Sequence, residues 1–156
     1  MRAPGLRAPA SFLATGYARP VSSPIVLYDG TCGFCDASIQ WILARDRAGV
    51  FRFAAQQGET AAAIVARHPE LPKDLDSLIL VEGEGAEERV TWHSTAAFGI
   101  AARLPGVWRA LSWFGLLPRA LTDLGYRMVA RVRYRIWGRL DACRVPRPEE
   151  RARFLP

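Results

Sequence analysis

Asp29, Cys32 and Cys35 stand in the stretch Asp29-Gly30-Thr31-Cys32-Gly33-Phe34-Cys35, a D-G-x-C-x-x-C pattern. Two cysteines separated by two residues suit reversible disulfide chemistry when the first of them opens a helix. The first turn of a helix carries unpaired N–H groups and a partial positive charge. A thiolate placed there is stabilised, and thiol pKa values in such settings fall from about 8.5 into the range of about 3.5–7.5. The spacing lets the second sulfur reach the first across one helical turn. Cys32 is thus expected to be the attacking thiol, exposed to substrate, and Cys35 the covered, resolving one. Asp29 has two readings. As a proton acceptor near the sulfurs it would assist deprotonation of the resolving thiol; as a turn carboxylate ahead of Gly30 it would only shape the loop. A nearby anion also raises a thiolate's pKa rather than lowering it.

The rival chemistry for the cysteine pair is half of a zinc site, completed by Cys143 with His93 or His68. Structural zinc takes four sulfur or nitrogen ligands, often as two C-x-x-C pairs, and this chain has one such pair. No metal or organic cofactor is required by the dithiol reading.

The flanking segments are of the kind that would place a dithiol at the carboxyl end of a central strand. Pro24-Ile25-Val26-Leu27-Tyr28 reads as a buried strand running into the motif, and Ile39, Trp41, Ile42 and Leu43 as the apolar positions of the following helix. Gly49 lies where helices stop. Val50–Ala54 alternates as a second strand, and Gly58–Arg67 is helical up to His68-Pro69. Ser77–Val81 is a third strand, Glu82–Ala86 a hairpin turn and Glu87–Trp92 a fourth strand. Ser94 is expected to cap a helix ending near Arg103, before Pro105-Gly106. The order β-α-β-α-β-β-α is an α/β thioredoxin-like core, with the first strand's carboxyl end delivering Cys32.

Beyond the core the sequence predicts a C-terminal helical extension, about 107–140. Val107–Leu117 is apolar but too short for a bilayer, which needs about 20 residues. From Arg119 to about Leu140 a longer helix places Leu121, Leu124, Met128, Val132 and Ile136 on one face and Arg127, Arg131, Arg135 and Arg139 on another. The aromatic residues at 108, 113, 114, 126, 134 and 137 are expected to form a packing layer over the sheet. A basic amphipathic helix after a Trp/Phe/Leu segment also has the make-up of one lying on an anionic membrane surface.

A chain of 156 residues with half of them apolar supports one domain, 23–156, preceded by a flexible basic extension, 1–22. That extension holds Arg2, Arg7 and Arg19 and no acid; its run Phe12-Leu13-Ala14 is too short for a signal-peptide core. Three cysteines do not make a disulfide framework, and a C-x-x-C beside a βα pattern points to a redox motif in a reducing, cytoplasmic setting. The net charge of +6 is concentrated late in the chain: residues 103–156 hold twelve arginines against four acids. No nucleic-acid motif accompanies that charge, and no nucleic-acid partner is expected.

Taken with these landmarks, the chain resembles the DCC family of thiol-disulfide oxidoreductases, whose Asp-x-x-Cys-x-x-Cys signature is matched by Asp29, Cys32 and Cys35. Also similar are the run from Asp76, Ser94-Thr95-Ala96, Leu116-Leu117-Pro118-Arg119, Tyr126-Arg127, Arg133–Arg139, Cys143-Arg144-Val145-Pro146 and the final Arg-Phe-Leu. The resemblance covers about residues 24 to 155. It implies a thioredoxin-like fold, dithiol chemistry at Cys32 and Cys35, and as partners a disulfide- or thiol-containing substrate and a second redox protein or small molecule. Ordinary thioredoxins differ in carrying Trp before the first cysteine, Gly-Pro between the two, and a cis-proline where this chain has Asp76 or Ser77.

Overall fold

The run Ile25-Val26-Leu27-Tyr28 is apolar at every position because β1 (Ile25–Tyr28) is covered on both faces, as central strands of α/β sheets are. A computed structural model describes residues 23–71, 77–138 and 145–156. In it β1 is the middle of a five-stranded sheet with β2 (Arg52–Ala55), β3 (Ile79–Glu82), β4 (Arg89–Trp92) and β5 (Phe154–Leu155), in the order β4-β3-β1-β2-β5. β1 pairs with β2 in parallel and with β3 antiparallel, and β3 and β4 form the hairpin. The period-two alternation of β1 sorts the core. Val26 and Tyr28 pack with Ile39 and Ile42 of α1 (Gly33–Arg45) and Ala96 and Ile100 of α3 (His93–Arg103). Leu27 faces the other way, onto Ala61 and Ile64 of α2 (Glu59–Arg67). This is the α/β arrangement expected, consistent with a thioredoxin-like core.

Several local expectations are corrected. The final Phe154-Leu155 adds a fifth strand, parallel to β2, which a two-residue segment gives no periodicity to announce. Phe154 packs on Phe53 with ring centroids 5.4 Å apart, and Arg153 pairs with the buried Asp46 carboxylate. Ser94 does not cap α3. That helix starts at His93, which adopts φ 56°, and Trp92 is its cap residue. The Ser94 hydroxyl instead donates to Asp123 Oδ1 at 2.6 Å, tying α3 to the C-terminal helix.

The segment expected as one helix over 107–117 divides into α4 (Val107–Ala110) and a 3-10 turn, Leu111–Leu116. The long helix, α5 (Arg119–Trp137), ends three residues short of the expected Leu140; Gly138 at φ 70° takes a left-handed conformation that glycine adopts without cost. The aromatic layer is only half as expected. Trp108 packs edge-on to Trp41 at 4.6 Å, and Tyr126 and Tyr134 turn inward, whereas Trp113, Phe114 and Trp137 are exposed. The face of Leu121, Leu124, Met128, Val132 and Ile136 points to solvent, not to the sheet. Among the described residues no helix is long and apolar enough to cross a membrane.

Candidate active site

The loop after β1 is built by Asp29. Its Oδ1 accepts from the Thr31 N–H at 2.9 Å and the Thr31 hydroxyl at 2.8 Å, an Asx turn that closes the chain towards α1. The Cys32 N–H bonds back to the Asp29 carbonyl at 3.3 Å. Gln57, after β2, secures the loop from the side: its amide nitrogen donates to Asp29 Oδ1 at 3.0 Å and its oxygen accepts from the Gly30 N–H at 3.1 Å.

Cys32 then occupies the N-cap of α1, in the extended conformation that N-caps adopt (φ −98°, ψ 115°). Its sulfur takes the place of the usual capping oxygen and accepts the Cys35 N–H at 3.4 Å. The helix start expected from sequence is therefore where it should be, and both cysteines are free thiols.

Exposure is not as expected. Cys32 is 0% and Cys35 2% exposed, so the division into one accessible and one covered sulfur is not found. The far end of the chain packs against this helix start. The last turn of α5 packs onto the first turn of α1, so closely that a Cβ on Gly33 would stand 2.6 Å from the Trp137 carbonyl oxygen. Phe34 and Trp137 stack beside it with ring centroids 5.0 Å apart.

Arg133 enters the site from the same turn. Its side chain is buried, with Nη1 3.7 Å from Cys35 Sγ and Nη2 donating to the Tyr134 hydroxyl at 3.0 Å. Tyr134 in turn donates to Asp29 Oδ2 at 2.7 Å. A chain of contacts thus runs from sulfur through guanidinium and phenol to carboxylate. Burial works against ionisation of Asp29, but the Thr31 N–H and the Tyr134, Thr31 and Gln57 side chains outweigh it and hold the carboxyl below its ordinary value. Burial, the hydrogen bond and charge of Cys32, and the Asp29 carboxylate push the Cys35 thiol up to about 12, with Arg133 opposing. Arg133 itself stays a cation: burial disfavours the charge, and the neighbouring Cys35, Tyr134 and Cys32 restore it.

Beside Cys35 lies a cavity of about 580 Å³ between α1, α3 and α5, walled by Trp41, Phe98, Tyr126 and Trp137 among others. Cys35 lines it; Cys32 does not.

The zinc reading gains no support from the placement of its ligands. His68 is held between Glu70 and Glu88, at 2.7 and 2.8 Å, and His93 stacks on Tyr126. Cys143 lies outside the described residues. Among the described residues no three His, Cys, Asp or Glu side chains gather as a metal would need.

Arg133, Tyr134 and Gln57 belong to the site, whereas sequence reasoning placed the first two only in a family-like stretch and a packing layer, and assigned Gln57 no role. Arg133 sits off the Arg127, Arg131, Arg135 series by two residues, which on a helix turns it inward. That offset was the available signal.

Comparison with known proteins agrees with this geometry. Residues 26–139 match the model of the DCC1-like thiol-disulfide oxidoreductase family. The chain is 32% identical over 137 residues to the uncharacterized protein YuxK of Bacillus subtilis, covering 87% of this chain and 96% of that one. It is 31% identical over 121 residues to the chloroplastic DCC family protein At1g52590 of Arabidopsis thaliana, covering 77% and 68% respectively. No solved structure matches. By its Cys32–Cys35 pair, its sheet and its relatives, the chain belongs to the DCC1-like thiol-disulfide oxidoreductase family.

Proposed function

We propose that this protein exchanges its Cys32–Cys35 dithiol with the disulfide of a substrate, Cys32 attacking and Cys35 resolving. The observation that carries the reading is the Cys35 N–H aimed at Cys32 Sγ at the head of α1, beside a Cys35 thiol held protonated. In the exchange, Cys32 thiolate attacks one substrate sulfur, the substrate S–S bond breaks, and the leaving thiolate takes the proton that Cys35 gives up. Cys35, deprotonated as the mixed disulfide forms, attacks Cys32 Sγ and expels the second substrate thiol. The enzyme is oxidised to the Cys32–Cys35 disulfide and the substrate is reduced by two electrons; a second thiol partner reverses the change. Asp29 acts as a positioning residue, held by four hydrogen bonds and fixing the loop that presents Cys32.

Because Cys32 is covered, attack requires the last turn of α5 to lift from Gly33. The cavity on Cys35 favours a second reading, in which a small apolar substrate reaches Cys35 first. Trapping separates them. With an aromatic disulfide such as dithionitrobenzoate, and with Cys143→Ser throughout, Cys35→Ser is expected to accumulate a mixed disulfide at Cys32 while Cys32→Ser reacts slowly. The reverse pattern assigns first contact to Cys35, and no adduct in either variant overturns the exchange itself.

A further inference from the structure

An apolar helix face turned to water needs a cover, and α5 has one. Leu121, Leu124, Met128, Val132 and Ile136 recur at helical spacing and are between 40% and 63% exposed, on the side of α5 opposite Tyr126, Ala130 and Arg133, which face the body. The preceding 3-10 turn extends the patch with Trp113 and Leu116, 75% and 87% exposed. Val129 and Trp137 carry the same apolar surface round to the mouth of the cavity beside Cys35.

Charge selects the occupant. Arg127, Arg131 and Arg135 run along the flank of the exposed stripe, all open to solvent. Across residues 103–140 there are eight arginines and a single acid, Asp123, which is engaged with Ser94. A second copy of the chain would bring the same arginines into the same contact. The 22 residues at the N-terminus would do likewise, with three arginines and no acid. The cover is therefore anionic. It must also accept a convex ridge of splayed aliphatic side chains with a tryptophan at its tip, which a fluid interface moulds to more readily than a folded surface. Arginine stems lie along hydrocarbon while their heads reach phosphate level.

We propose that α5 and the turn before it seat this protein on an anionic lipid bilayer, the Leu121–Ile136 stripe and Trp113 entering the interface and Arg127, Arg131 and Arg135 meeting headgroup phosphates. The contact is independent of the redox reading and orients the cavity mouth toward the lipid. The test is flotation of the full chain with vesicles of phosphatidylcholine alone or mixed with phosphatidylglycerol. Binding is expected to the mixed vesicles and not to the neutral ones. Combined Arg127→Gln, Arg131→Gln and Arg135→Gln is expected to weaken it about a hundredfold, from about fivefold per basic residue near an anionic surface. Met128→Gln, which keeps every charge as it is, should also release the protein, which a purely electrostatic contact would not do. Quenching of wild-type fluorescence by brominated lipid, reduced in Trp113→Phe to what the other tryptophans give, reads insertion without relying on the charge variants. The proposal is overturned by absence of flotation at low salt, by equal binding to neutral vesicles, or by equal binding to polyglutamate, which would mark an acidic protein as partner. A dimer in sedimentation equilibrium that Met128→Gln dissociates would overturn it as well.

Discussion

Tyr134, on the last turn of α5, donates its hydroxyl to Asp29 Oδ2 at 2.7 Å, joining the dithiol loop to a helix 105 residues later in the chain. The extension is thereby part of the site and not an appendage to it. The same turn supplies Arg133 to Cys35 and packs against Gly33, so three contacts to one short loop come from one piece of helix.

Removing that hydroxyl tests the connection. Tyr134→Phe leaves a buried carboxylate short of one donor and is expected to cost about 1.5–3 kcal/mol, the range for a hydrogen bond to a charged group. Asp29 has its folded pKa lowered, so its contribution is present above the unfolded value of about 3.8 and is lost as pH falls through the lower folded value. Tyr134→Phe moves the folded value back up and flattens the acid limb of stability against pH. Urea denaturation carried from neutral pH down through the acid limb reads both effects, and an unchanged midpoint and limb would show the bond to be idle.

Arg133 is predicted to set the acidity of Cys35. A cation within about 4–6 Å favours the charged form of its neighbour by about one to three pH units. In a Cys32→Ser background, which isolates Cys35, Arg133→Met should move the pH profile of Cys35 alkylation upward by that amount, and Arg133→Lys should restore much of it. Identical profiles for Met and Arg at this position would leave Arg133 as packing alone.

Gly33→Ala places a methyl group where the Trp137 carbonyl oxygen now lies, 2.6 Å from the added carbon. Backbone cannot rotate away as a side chain can, so either α1 or the end of α5 must shift, at a cost of about 1–3 kcal/mol for overpacking. The expected signature is a lower melting temperature together with faster alkylation of Cys32 in native protein. Destabilisation with Cys32 still protected would mean that some other element covers the sulfur.

Cys35 makes stability fall at alkaline pH. Its folded pKa is raised to about 12, so the stability tied to the neutral thiol is full below the unfolded value near 9.0 and is lost as pH rises from there through the folded value. The expected slope in that window is about 1.4 kcal/mol per pH unit from this group. Cys35→Ala lacks the proton and should lose stability more gently over the same range. Equal slopes for the two proteins would contradict the raised value.

What could be read in the sequence was local. β1 announced itself by four apolar residues ending in Asp29-Gly30, and the helix start by the C-x-x-C that follows, because strand burial and turn chemistry are set by neighbours in the chain. The packing of α5 on Gly33 was not legible, since that turn lies about a hundred positions away and leaves no mark near the motif. Periodicity showed that Leu121, Leu124, Met128, Val132 and Ile136 share a face but not that the face points outward; a helical repeat carries no sign for inside. Arg133 was masked by the arginines around it, which differ from it in direction and not in type. β5 is two residues long and is held by Phe53 and Asp46 more than by any pattern of its own.

The most direct measurement is a redox titration of the full chain against reduced and oxidised glutathione, with free thiols alkylated and counted by mass. A single two-electron transition is expected, in which Cys32 and Cys35 lose their thiols together to give one internal disulfide and regain them fully on reversal. Retention of both thiols across the titration, or glutathione adducts that never resolve to the Cys32–Cys35 bond, would contradict it.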